Sequence, residues 1–594
     1  MADGFLSRYN EELAGLRRRA ARFAEKFPKI AGRLRLNGEV ADDPHVERLI
    51  QSFAYSAARV RQKLDDEFPE LTDSLLETLY PHYLAPLPSM SVVQFTPSAT
   101  LAGIQKIARH TEILAEPVNG EACRFRTTQD VEIAPVEIVS AALSGQPINA
   151  PLSPQTGAAG CLRLSIRPLD PRKTFSELKI SKLRLHIGSN WPQAIALHTL
   201  LCNHTLGIGL AKHSDDPDAI FLPASSLKPA GFAEEETMLP YPASSFAGYR
   251  LLTEFFALPQ KFLFIDIEGL DRHGDDNLEI FVYLSESDPK LERAVSARDF
   301  VLHAAPVINL FEQACEPLVL DGTRTEYRLL PDARRQKTRE IHAVQRVVLS
   351  GHERPEEVSQ PFFGRTQRAG SYSSVFWQLS RRFDPSDGTS DIDIAFIDRG
   401  RTPASALQAV ASIDALCMNR DLPEKLPFGG GHPHLKLASG NESVANVKAL
   451  MAPTPSVRMN DPDGRHWRLM SHLNLNHLSL FDNDGAALKD MLSLYAFRDM
   501  PETRQLVEAI IRVDAKSSTA RLAHGGMVSG TDVRLEFDPA AIDRASAYLF
   551  ASVLDRFFAL YASINSFTRL TATLKGHSRP IASWPARAAM RPLL

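Results

Sequence analysis

An α+β fold divided among several domains is what this sequence predicts, and three observations predict it. The chain has 594 residues, more than one hydrophobic core usually organises, so roughly three or four domains of about 150 residues are expected. Its N-terminal part carries apolar residues at three- and four-residue steps, the spacing of helices, and beyond Pro86 and Pro88 the spacing changes to two, that of half-buried strands. Helical periodicity then returns near the C-terminus.

The first helix is expected from about Phe5 to Phe27, with Leu6, Tyr9, Leu13, Leu16, Ala20, Phe23 and Phe27 in one stripe, ended by Pro28. A second starts behind Asp42 and Asp43 with Pro44 in its first turn, carries Val46, Ile50, Phe53, Ala57, Val60 and Leu64, and ends near Pro69. A third, shorter helix follows Thr72 with Leu75, Leu76, Leu79 and Tyr80 and stops at Pro81. Both long stripes keep a heptad spacing, and an uncovered seam of about three heptads invites association unless another helix buries it. Residues 1–88 therefore read as a helical assembly unit. Leu6, Tyr9, Leu13, Leu16, Phe23, Phe27, Ile50, Phe53, Val60 and Leu64 are its candidate protein-interface residues.

Residues 89–298 read as a β-rich domain, with strands at Val131 to Ile138, Leu178 to Ile187, Phe262 to Ile267 and Leu278 to Leu284 and a helix at Ala194 to Leu201. The segments Pro217 to Pro242 and Asp271 to Asn277 are expected as loops. Tyr249, Leu251, Leu252, Phe255, Phe256, Leu258, Phe262 and Phe264 are expected to pack a helix on a strand across a turn at Pro259. A boundary near Asp299 opens an α+β domain, 299–484. It has helices at Pro306 to Ala314 and Ala404 to Cys417 and strands at Val344 to Leu349, Ile392 to Ile397 and Trp467 to Leu480. Residues 485–594 form a C-terminal α+β region with helices at Ala487 to Phe497, Glu502 to Val513 and Tyr548 to Ile564. The last presents Phe550, Val553, Leu554, Phe557, Leu560, Tyr561 and Ile564 on one face.

The net charge of −4 and pI near 6.5 give no global pull toward nucleic acid. The basic run Arg17, Arg18, Arg19, Arg22, Lys26, Lys29, Arg33 and Arg35 has no aromatic stacking residues interleaved on its own face and reads as the solvated and partner-facing side of the first helix. Five widely spaced cysteines form no Cys-x-x-Cys pair, which fits a reducing cytoplasm. No basic stretch leads into an apolar signal core, and no run of about 18 apolar residues is long enough to span a bilayer, so no membrane insertion is expected.

Catalytic signatures are scarce. His352-Glu353 opens like a zincin helix, but Glu356 stands where the second histidine belongs and Pro355 breaks the turn. No Gly-x-Ser-x-Gly elbow occurs, Cys417 reads as a buried apolar cysteine at a helix end, and Asp266 has no partner carboxylate for acid/base work. The glycine-rich loop Phe428-Gly429-Gly430-Gly431-His432-Pro433-His434 lacks the lysine and hydroxyl of a P-loop and reads as a turn needing positive φ. His432 and His434 find no third metal ligand at local spacing. The residues thus assign no catalytic group, cofactor or metal; the alternative is a small-ligand protein or enzyme using the loop from Gly429 to His434.

Several segments together resemble the TssF family of type VI secretion baseplate subunits. They are Phe27-Pro-Lys-Ile-Ala-Gly-Arg-Leu34, Asp43-Pro-His-Val-Glu-Arg-Leu49, Leu79-Tyr-Pro-His-Tyr-Leu-Ala-Pro86 and Tyr249-Arg-Leu-Leu-Thr-Glu-Phe-Phe256. Further on come Asn309-Leu-Phe311, Glu316-Pro317, Cys417-Met-Asn-Arg-Asp-Leu-Pro423, Leu426-Pro-Phe-Gly-Gly-Gly431, Ser471-His-Leu-Asn-Leu-Asn476, Leu554-Asp-Arg-Phe-Phe-Ala-Leu-Tyr561 and Asn565-Ser-Phe567. The tail departs from the family pattern at Val528-Ser529 and between Ala586 and Met590, where glycine is usual. The resemblance implies a non-enzymatic wedge protein, two copies joined to one TssG with TssK and TssE around the VgrG spike hub. It further implies support of Hcp tube and sheath assembly at the cytoplasmic face of the inner membrane.

Overall fold

The computed structural model describes the chain apart from residues 1, 34–35, 38–39, 42, 66–74, 78, 155, 243–244, 274–276, 352–353, 363–374, 385–387, 399–408, 459–467, 470–484, 499, 522–526, 563–565, 589–590 and 593–594. Two compact units divide it, Met1–Leu84 with Asn460–Asn474 and Ala85–Met459 with Leu475–Leu594. In the first unit, helix α1 spans Ala2–Lys26 and helix α2 Pro44–Asp65, and the two pack on each other. Arg17 joins Glu47 across them at 2.5 Å. Pro28 ends α1 and also opens the short helix Pro28–Arg33, since a proline at the first helical position has no amide hydrogen to lose. For the same reason Pro81 starts the turn Pro81–Leu84 where an end is expected.

The second unit is built around a closed antiparallel barrel of six strands: β1 Met90–Pro97, β2 Glu112–Val118, β3 Glu121–Thr127, β4 Ala304–Ile308, β5 Leu435–Leu437 and β6 Val444–Ala449. Their order around the barrel is β4, β1, β6, β5, β2, β3 and back to β4. Closure leaves no sheet edge, and Val93, Phe95, Ile113, Phe125, Val307 and Val447 cluster in its core. Because β4 pairs with both β1 and β3, the chain runs through residue 299 inside one folded body.

Further sheets flank these strands in sequence. An antiparallel sheet runs Ile220–Pro223, Thr205–Ala211, Leu278–Leu284, Gly160–Pro168 and Val136–Gly145; another runs Leu227–Ala230, Phe264–Glu268, Lys182–Ile187 and Phe300–Leu302. An eight-stranded sheet covers residues 311–418. Asn309 and Asn419, both fully buried, tie it to the barrel: Asn309 Oδ1 accepts from the Asn419 amide at 2.7 Å, and its Nδ2 donates to the Arg124 carbonyl at 2.8 Å. In the C-terminal region, Met527–Phe537 and Phe567–Leu574 are parallel neighbours joined through a long helix, a βαβ crossover.

Three helices pack on these sheets: α3 Trp191–His204, α4 Ala247–Ala257 and α5 Arg544–Tyr561. Asp543 caps α5 by accepting from the amides of Ala545 and Ser546. Phe255 of α4 stacks on Phe550 of α5 at 5.6 Å, and Tyr249 stacks on Tyr495 at 4.7 Å. The aromatic stretch from Tyr249 to Phe264 is thus a helix, a turn at Pro259 and a strand, with its aromatic side chains buried.

The structure corrects several local expectations. Pro306 to Ala314 is not helical but supplies β4 and the strand Phe311–Ala314; residues Ala304–Ile308 are buried on both faces, so the alternation that marks a strand is absent. Ala409–Met418 is a strand where a helix over Ala404 to Cys417 is expected. Leu178 ends a short helix, Phe175–Leu178, and the loop from Pro217 to Pro242 contains two short strands. The expected helix from Glu502 to Val513 splits into the helix Pro501–Glu508 and a strand from Ile510. The expected strand at Trp467 to Leu480 and the His352-Glu353 pair lie outside the described residues, apart from a helical Arg468 and Leu469.

Four buried histidines give the second unit an acid limit. Burial holds His186 and His303 down to about 4 and His198 and His342 down to about 3. The His303 Nε2 lone pair accepts from the Ala134 amide at 3.1 Å, which requires the neutral ring. Unfolded, each ring takes its proton near the ordinary value of about 6.5. The folded values are depressed, so this stability is complete above pH 6.5 and falls by about 1.4 kcal/mol per histidine per pH unit below it. The urea midpoint is expected to drop steeply between pH 6.5 and 4.5; an unchanged midpoint over that window contradicts the assignment of neutral buried rings.

Candidate assembly surface and glycine-loop site

The heptad residues divide into two classes in the structure. On α1, Tyr9, Leu13 and Leu16 are half-buried, whereas Phe23 and Phe27 are exposed and touch each other with ring centroids 5.2 Å apart. On α2, Ile50 is half-buried, while Phe53 and Val60 are 64% and 61% exposed. The side chains of Leu6 and Leu64 lie outside the described residues. Among the described side chains of α2 the buried ones are Ala54 and Ala58, which the heptad reading passes over. Small residues four apart let a neighbouring backbone approach closely, and that spacing is their sequence signal.

At about 100° per residue, Leu49, Phe53 and Val60 fall within about 40° of one another on α2, and Leu49 is 70% exposed. Phe23 of α1, Phe27 just after it and Ile30 of the short helix Pro28–Arg33 are exposed as well. Isolated exposed apolar residues are ordinary, but a contiguous run along one helix face marks a docking surface. Among the basic residues, Arg17 is paired with Glu47 and the Arg19 Nε donates to the Gly15 carbonyl at 3.3 Å. This pairing leaves less of the face for phosphate.

The glycine loop is a tight reversal leading into β5. Gly429, Gly430 and Gly431 have φ of +102°, +61° and +95°, and the Gly429 and His432 backbones exchange hydrogen bonds at 3.3 and 3.1 Å. A Cβ on any of the three meets nothing within 4 Å, so the left-handed backbone and not crowding calls for glycine. The loop returns to β2: the Glu116 amide donates to the His434 carbonyl at 3.0 Å, and His432 Nδ1 lies 2.9 Å from the Glu116 carboxylate. That hydrogen bond holds the Glu116 carboxyl below the usual range.

Asp266, Glu236 and Glu254 are each matched by a cation. Asp266 sits against Arg184 at 2.6 Å and Lys182 at 3.2 Å, and Glu236 takes the other side of Arg184 at 2.5 Å. Glu254 and Lys261, each 1% exposed, form an ion pair, and Glu254 Oε1 also accepts from the amides of Met238 and Leu239 at 2.9 Å each. Burial pushes the thiols of Cys123, Cys161, Cys202 and Cys315 up to about 12, and that of Cys417 higher still. A thiol so far from ionising is a poor nucleophile. Cys417 is buried as expected, though in a strand and not at a helix end.

Among the described residues, no helix is long and apolar enough to cross a membrane. The chain is similar to a type VI secretion system component, TssF1 of Pseudomonas aeruginosa, at 35% identity over 621 aligned residues, covering 99% of each sequence. It is also similar to a chain of the TssK-TssF-TssG baseplate subcomplex solved by cryo-electron microscopy, with a TM-score of 0.75 and 27% identity over 92% of this chain and 99% of that one. A chain of the baseplate complex from the type VI secretion system shares the fold, with a TM-score of 0.64, 24% identity, and coverage of 99% and 100%. The family model described as "Type VI secretion system, TssF" matches residues 1–591, and the chain accordingly belongs to the TssF family of type VI secretion system components.

Proposed function

We propose that this chain, a structural subunit of the type VI secretion baseplate, builds a wedge by laying the exposed apolar face of α1 and α2 against helices of TssG and of a second TssF copy. The observation that carries the reading is the unburied run of Leu49, Phe53 and Val60 along one side of α2, together with the exposed Phe23 and Phe27. TssK and TssG are supported as partners by the similarity to a chain of the TssK-TssF-TssG subcomplex. TssE, the VgrG hub and the Hcp tube are partners that the family resemblance implies. The role is scaffolding and not catalysis, which fits the matched ion pairs and the raised cysteine thiols. The assembled baseplate works in the cytoplasm and docks at the inner face of the membrane.

Native mass spectrometry of the complex purified with TssG and TssK tests this reading. Two copies of this chain per TssG are expected. A complex with one copy, or this chain recovered alone, overturns it.

A further inference from the structure

The glycine loop and strand β2 bring together three donors that lie far apart in sequence. His432 and His434 come from the loop, and Glu116 comes from β2, 316 positions before His432. One donor atom from each lies within 4.8 Å of the others. The His432 Nδ1 to Glu116 Oε1 separation is 2.9 Å, and the two imidazole rings have centroids 4.4 Å apart. Local spacing offers only the two histidines; the third donor is supplied by the barrel register, in which Leu435 pairs with Ala115 and so sets His434 beside Glu116.

From this geometry we infer that Glu116, His432 and His434 bind one divalent transition cation of the zinc type. Two imidazoles and a carboxylate are a donor set suited to zinc and its neighbours, and not to calcium or magnesium, which take oxygen. With bonds of about 2.0–2.2 Å, neighbouring donors of a tetrahedron sit about 3.3–3.5 Å apart. The His432–Glu116 pair is already near that spacing, and the exposed His434 ring closes the remainder by side-chain rotation. Three protein ligands leave one position for water.

The backbone is prepared for this role. The Glu116 amide holds the His434 carbonyl, and the three positive-φ glycines fold the loop back so that His432 meets the carboxylate. The same loop borders a groove of about 960 Å³ together with Arg298, His303 and Lys448. A bound cation fastens the loop to β2 and fixes that wall of the groove. The site shares no residue with the helical assembly surface and stands whether or not the wedge reading does.

Equilibrium dialysis of the untagged full chain against Zn²⁺, after chelator treatment, reads the site directly. One equivalent is expected for the unaltered chain, with affinity at least tenfold weaker in His434→Ala and in Glu116→Gln and unchanged in His577→Ala, an exposed histidine elsewhere. Amide exchange across residues 429–434 is expected to slow with zinc in the unaltered chain only, a readout that a misfolded variant cannot imitate. No saturable uptake, or uptake that survives both site substitutions or falls equally in His577→Ala, overturns the inference.

Discussion

Replacing Phe53 and Val60 together with aspartate is expected to abolish co-purification with TssG while leaving the chain folded. Both side chains are mostly exposed in the chain on its own, so the substitutions remove little that holds α2 in place. In the proposed bundle each side chain is buried against a partner helix, which stabilises the contact by about 1.5–3 kcal/mol apiece. Two carboxylates forced into that contact without partners cost several kcal/mol more. Even a loss of about 4 kcal/mol weakens association by about three orders of magnitude. Glutamate at Leu13 and Leu16 is expected to break assembly too. These residues are half-buried, however, and the change also disturbs α1 itself, so the aspartate pair separates docking from folding more cleanly.

The second large effect is on stability. Lys261→Met is expected to lower stability by about 3–5 kcal/mol, because it strands the Glu254 carboxylate in a site where both partners are 1% exposed. Two backbone amides, from Met238 and Leu239, still donate to that carboxylate at 2.9 Å, but they do not neutralise it. The double substitution Glu254→Gln with Lys261→Met keeps an acceptor for those amides and removes both charges. It is expected to recover most of the loss, since the penalty belongs to the unpaired charge and not to the missing ammonium alone. Urea midpoints for the three proteins measure this; a double variant no better than Lys261→Met shows that the lysine acts through packing.

The ends of the chain were legible because their signals are local. Pro28, Asp43 and Pro44 mark the borders of α1 and α2, and the apolar face from Phe550 to Tyr561 marks α5. The middle was harder. From Ala409 to Ala415 burial alternates residue by residue, yet alanine's strong helix propensity favours the wrong element when the partner strands are unknown. Strand β4 sits between two neighbours, so it shows no alternation, and its pairing with β1 and β3 joins residues about 200 positions apart, a relation no window of sequence contains.

The candidate surfaces divide in the same way. The heptad stripes were visible, but which residues of a stripe face the neighbouring helix depends on Ala54 and Ala58, whose small size is the message. Leu49, the most exposed apolar residue of α2, lies off the heptad seam and was missed. At the glycine loop the positive-φ requirement was readable from three consecutive glycines. Glu116 was not, because only the register between β2 and β5 brings it there.

In the proposed wedge, partner helices bury Phe23, Phe27, Leu49, Phe53 and Val60. Hydroxyl-radical footprinting of those five side chains, in the isolated chain and in its complex with TssG, measures that burial residue by residue. Protection of Leu49, Phe53 and Val60 on complex formation is the predicted result. Equal labelling of all five in the two states contradicts the account.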